Sequence, residues 1–211
     1  GERMPTYRPY NYALSGSGPN HLLARLQRRP LSQEIEEKEG FVLYNFIDAH
    51  PMRVTGKLSA MSYAAEAPFY ATGKDGKLEY LGSFREKRGL ANFLMELVAN
   101  SHLLRSWAAY SLADVTAEDL QLTCRIIEEL KNKVQEQLPN AKFIVTIYPE
   151  QYLHITDCLR EKHIAVWDFS SMKRKRELMT HWDGWHPSAA ENKVFADLLA
   201  QNFENRVENV P

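Results

Sequence analysis

The sequence predicts a single α/β domain over residues 1–211, with a parallel sheet covered by helices on both faces. Three observations carry that prediction. Apolar runs rich in β-branched and aromatic residues, "FVLYNFI" (41–47), "AKFIVTIYP" (141–149) and "IAVWDFS" (164–170), have the character of strands buried on both faces. Stretches with helical periodicity lie between and after them, so strands and helices alternate. A length of 211 residues is enough to bury one core and demands no second domain.

Taken in order, Tyr10 to Leu14 reads as a short strand, "SGSGP" as a glycine-rich turn, and "NHLLARLQRR" as a helix. Gly40 precedes the strand at 41–47. From "DAHPMRV" to about Arg85 the pattern becomes irregular, an insertion over about 52–85 in which "FYATGKDGKLEYLGSF" reads as a hairpin turned at Gly73 to Gly76. Excursions of that length inside a compact domain tend to carry function. Glu86 to Ser111 has helical periodicity, with Leu90, Phe93, Leu94, Leu97 and Val98 on one face, followed by Leu103, Leu104 and Trp107. A helix with that face is a core element or the wall of an acyl or glycan pocket.

Thr116 with Asp119 forms a capping-box pattern that opens the long amphipathic run "AEDLQLTCRIIEELKNKVQEQL". The strand at 141–149, a helix over "QYLHITDCLREKH" and the strand at 164–170 follow. A second capping box, S-A-A-E from Ser188 to Glu191, starts a last helix that runs to about Asn205.

With 26 Lys and Arg against 27 Asp and Glu, the net charge of -1 provides no surface field to gather phosphate backbones or anionic lipid, so no nucleic-acid partner is expected. No apolar run approaches the roughly 20 residues that cross a bilayer. Cys124 and Cys158, each in a run read as helical, are expected to be buried free thiols rather than a disulfide framework.

In parallel α/β sheets ligands bind outside the carboxyl ends of the strands. Three segments qualify: "SGSG" after Leu14, "DAHPMR" after Ile47, and the loop from Ser170 to His186. In "HWDGWHP", Asp183 lies three residues before His186 on a glycine-containing loop. A carboxylate so placed accepts the Nδ1 proton and leaves Nε2 as a general base. The competing reading is a polar loop whose Pro187 and Ser188 start a helix. Metal ligation by His181, Asp183 and His186, with His50 as a further ligand, is the less favoured assignment, because a closed site needs about four ligands and no paired motif is present. Neither metal nor organic cofactor is therefore expected. The backbone N–H groups of "NYALSGSG" sit at a helix start, where they can stabilise an oxyanion. His50 follows a buried strand, which raises it above an ordinary loop histidine.

The order of the blocks "NYALSGSGP", "FVLYNFIDAHPMR", "FIVTIYP", "IAVWDFS" and "DGWHPSAAENKVFADLL" resembles the SGNH (GDSL-type) ester hydrolases over nearly the whole chain. The resemblance implies a three-layer α/β/α flavodoxin-like fold. Asp183 and His186 match that family's catalytic Asp and His, and Gly16 matches the glycine whose N–H faces the oxyanion. Ala49 and His50 stand where the family has an Asn-Asp pair, so the Asn side-chain donor is missing. The family's nucleophile lies in a G-D-S motif on a preceding central strand, and this sequence contains no such motif. The resemblance thus implies a chain that begins downstream of its first strand, and an opening segment "GERMPTYRPYNYAL" without initiator Met agrees with that expectation.

The function implied is a serine ester hydrolase acting on a small-molecule, lipid or glycan ester. Three alternatives accompany it: an O-acyltransferase of the same fold, a binding module that has lost the chemistry, and a metal-dependent hydrolase.

Overall fold

The structure, a computed structural model, describes residues 7–57, 60, 65–101, 115–180 and 186–206. Three parallel strands form its sheet: β1 (Glu39–Phe46), β4 (Asn140–Ile147) and β5 (Ala165–Asp168), in the order β1-β4-β5. Glu39 pairs with Asn140 and Phe46 with Ile147; Ile144 pairs with Ala165 and Ile147 with Asp168. The register therefore brings the carboxyl ends of all three strands level.

Side chains alternate across this sheet and bury two cores. On one face Tyr44, Phe46, Phe143, Val145 and Ile147 pack with Leu130 and Val134 of helix α4 (Ala117–Gln137), Leu26 of α1 (Pro19–Arg28) and Leu159 of α5 (Thr156–Glu161). On the other, Ile144, Trp167 and Phe169 meet Phe195, Leu198, Leu199 and Phe203 of α6 (Ala189–Arg206). Helices thus cover both faces, and the α/β class holds.

Several elements depart from the sequence expectation. Tyr10 to Leu14 is not a strand. Its backbone joins no ladder; instead Tyr10 Oη donates to Glu37 at 2.7 Å, and Tyr12 packs on the core beneath Arg25. A short apolar segment needs a neighbouring strand to become a strand, and among the described residues none lies beside this segment or along the outer edge of β1.

"AHPMRVT", expected to be irregular, is helix α2 (Ala49–Thr55). Its proline sits in the first turn, where the missing N–H costs no intrahelical bond. Gly56 ends the helix at φ 61, and a Cβ there would lie 2.8 Å from the Phe84 ring. The hairpin forms as expected, β2 (Pro68–Thr72) against β3 (Leu78–Ser83), turned by Gly73 to Gly76.

Helix α3 (Phe84–Asn100) starts from a Ser83–Glu86 capping box, and its backbone breaks at Gly89 (φ 32, ψ -105). The face expected to be core or pocket is not packed core. Leu90, Phe93, Leu94 and Leu97 are each more than half exposed. Leu103, Leu104 and Trp107 lie outside the described residues.

The Thr116–Asp119 capping box is present, with bonds of 2.8 and 3.3 Å. The expectation of free thiols fails: Cys124 of α4 and Cys158 of α5 form a disulfide across a Cα separation of 6.4 Å. Two short-range helical patterns said nothing about α5 docking on α4, and that packing is what places the sulfurs together.

Candidate functional site

The loops that leave the carboxyl ends of the strands are stitched to one another. Asp48, just beyond β1, accepts backbone N–H groups of Tyr152 (2.7 Å) and Leu153 (3.2 Å), while its own N–H donates to Gln151 Oε1 at 2.5 Å. Gln151 Nε2 in turn donates to Pro149 O. Glu150, held at φ 56, donates its N–H to Ser170 O at 3.1 Å, which couples the loop after β4 to the loop after β5. Asp168 accepts the Ser170 N–H at 2.9 Å; burial opposes its ionisation, but the bonds from Ser170 and Thr156 prevail and hold its carboxyl below the usual range. A rim built this way holds its backbone dipoles in fixed directions, a property required of a polar reaction site.

Gly16 occupies a turn in which Ser17 N–H donates to Leu14 O, and its φ of 74 is a conformation that favours glycine. Arg53 of α2 donates to Ser17 O at 2.7 Å and so fastens that turn to the helix that follows β1. The N-terminus of α1 begins directly afterwards, at cap residue Gly18.

His50 is 7% exposed and packs against Tyr44 and the edge of Phe46. Its Nδ1 lies 2.7 Å from Tyr44 Oη and accepts from Ile47 N–H at 3.4 Å. An N–H cannot accept, so Nδ1 is the acceptor, Tyr44 donates its hydroxyl proton, and Nε2 carries the ring proton. Burial, reinforced by the positive Arg53, pushes the imidazole down to about 3. His50 is therefore a neutral donor at physiological pH and not a base.

His186 is exposed and lies in the loop between β5 and α6. The two ends of that loop are tied together: Thr180 N–H donates to His186 O at 2.9 Å, Ser188 N–H donates to Leu178 O at 3.1 Å, and Met179 pairs with Pro187 in an isolated bridge. Asp183 and His181 lie outside the described residues. Among the described residues, no three His, Cys, Asp or Glu side chains gather as a metal site would need.

One departure from the sequence pattern concerns the second capping box. Ser188 Oγ accepts the Glu191 N–H at 3.4 Å, but Glu191 does not return the bond. Its carboxylate instead holds Arg174 from the loop after β5, Nε to Oε1 at 2.7 Å and Nη2 to Oε2 at 2.9 Å. Sequence reasoning missed Asp48, Gln151, Arg174 and Glu191. Asp48 stood in a segment already singled out by its place after β1, so that signal was present. The Arg174 pairing depends on contact across the fold and left no local trace.

Comparison with known proteins finds no matching family model, no matching curated protein and no matching solved structure. No helix among the described residues is long and apolar enough to cross a membrane.

Proposed function

We propose that this chain carries the acid–base half of a serine ester hydrolase. In this reading His186 is the general base, Asp183 orients its ring, and the Gly16 N–H helps to hold the tetrahedral oxyanion. The neutral His50 Nε2–H is the candidate for a second donor, one residue beyond Ala49, which stands where the resembling family has its side-chain amide. The nucleophilic serine comes from a further strand beside the outer edge of β1.

The observation that carries the reading is the position of His186. It follows the last strand of a parallel sheet, on a loop tied at its neck, at the end where the loops after β1, β4 and β5 are stitched together. Among the described residues no strand pairs with the outer edge of β1, which supports the placement of the serine, since a strand with an apolar run and one partner leaves N–H and C=O groups for a neighbour. In the reaction the serine Oγ attacks an acyl carbonyl while His186 takes its proton. The imidazolium then protonates the leaving alcohol, and water repeats the cycle on the acyl-enzyme.

The test is turnover of a short-chain chromogenic ester by the full-length gene product. Loss of turnover in both His186→Ala and Asp183→Asn supports the assignment. Turnover unchanged by either substitution removes these residues from the mechanism.

A further inference from the structure

We propose that Arg174 and Glu191 are positioning residues for His186: their buried ion pair fixes the neck of the His186 loop against the carboxyl end of β4. The inference rests on the reading of His186 as the general base.

Geometry carries it. The two side chains are 17 residues apart in sequence and only 11% and 7% exposed, and they meet through two parallel hydrogen bonds. In sequence the neck residues Leu178, Thr180, His186 and Ser188, with the bonds that tie them, fall between the two. Glu191 belongs to the first turn of α6, and the Arg174 guanidinium lies 5.4 Å from the Tyr148 ring centroid, just beyond β4. Tyr148 also meets Phe195 of α6 edge-on, with centroids 4.7 Å apart. The pair therefore joins three parts of the fold: the loop after β5, the start of α6 and the end of β4.

The sequence argument points the same way. Glu191 stands where a capping-box glutamate would return a bond to Ser188 N–H, yet that N–H goes to Leu178 O and the carboxylate goes to Arg174. Giving up a local cap for a buried ion pair is a poor bargain for stability alone, because a buried pair recovers little more than its desolvation cost. Such a pair specifies geometry, and the geometry it specifies is that of the histidine-bearing loop. A reacting group displaced by about 1 Å can cost roughly a hundredfold in rate.

The experiment uses the full-length protein with Arg174→Met, Glu191→Met, the double variant and the conservative Arg174→Lys. The readouts are the thermal midpoint, kcat and KM on a chromogenic ester, and amide exchange at Thr180 and Ser188. Either single Met variant strands a buried charge and lowers the midpoint; the double variant regains it. A positioning role predicts that kcat in the double variant stays down by roughly a hundredfold with KM little changed, and that protection at Thr180 and Ser188 falls. Wild-type kcat or wild-type protection in the double variant overturns the proposal. Should the double variant fail to fold, Arg174→Lys decides on the same readouts, since it keeps the charge and loses the planar fork. If the wild type itself shows no turnover that depends on His186, the hydrolase reading falls, and exchange at the two neck amides still decides whether the pair holds the loop.

Discussion

The Asp48 carboxylate accepts the backbone N–H of Tyr152 at 2.7 Å, across more than a hundred residues of sequence. With the neighbouring bond to Leu153 it ties the end of β1 to the loop after β4. A hydrogen bond to a charged acceptor contributes about 1.5–3 kcal/mol. Asp48→Ala is therefore expected to lower unfolding free energy by about that amount, with faster amide exchange at Tyr152 and Leu153. Denaturant titration with site-resolved exchange checks it, and an unchanged Tyr152 rate would break the account of the rim.

His50 makes a prediction about acid. Its imidazole titrates at about 3 in the fold against 6.5 in the unfolded chain, because burial and Arg53 disfavour the charged form. Between those values the unfolded state binds more protons, so the stabilisation is complete above pH 6.5 and is lost as pH falls towards 3. The loss amounts to about 3 kcal/mol between pH 7 and pH 4. His50→Asn removes this contribution, so the stability gap between wild type and variant should narrow by about 3 kcal/mol over that range. Parallel pH profiles would show that the ring titrates normally.

The Cys124–Cys158 bridge closes a segment with a sequence separation of 34. Constraining the unfolded chain over that span stabilises by about 4 kcal/mol in the chain-entropy treatment. Reduction, or Cys124→Ala, should lower stability towards that extent. Thiol titration of the unreduced, denatured protein should find no free sulfhydryl. Two titratable thiols would remove the disulfide.

How far the sequence revealed this molecule depends on the range of the interaction. The three parallel strands, the hairpin at Gly73 to Gly76 and the Thr116 cap were legible, because apolar runs, turn residues and caps are local signals. Helix α2 was hidden by Pro51, which acts as a breaker everywhere except the first turn. The pairing of Arg174 with Glu191 and the joining of Cys124 to Cys158 were invisible, since both are decided by which helices dock. Within the candidate site, the loop bearing His186 was found from its place after the last strand, whereas the Asp48 staple was overlooked in favour of the nearby histidine.

The α3 stripe gives a sharp contrast, because helical periodicity predicted a buried face and the side chains are exposed. Leu94→Ser should change stability by no more than about 0.5 kcal/mol, as surface substitutions do. Leu130→Ala, in the core of α4, should cost about 2–5 kcal/mol. Equal costs at the two positions would place Leu94 in a packed interior.

The central claim is that His186 activates a serine at the carboxyl end of the parallel sheet. Its most direct test is covalent labelling of the full-length gene product with a fluorophosphonate, followed by intact-mass and peptide analysis. The account predicts one adduct on one serine in the native protein, with labelling strongly slowed in His186→Ala. A native protein that takes no adduct, or a variant that labels as fast as the wild type, would contradict it.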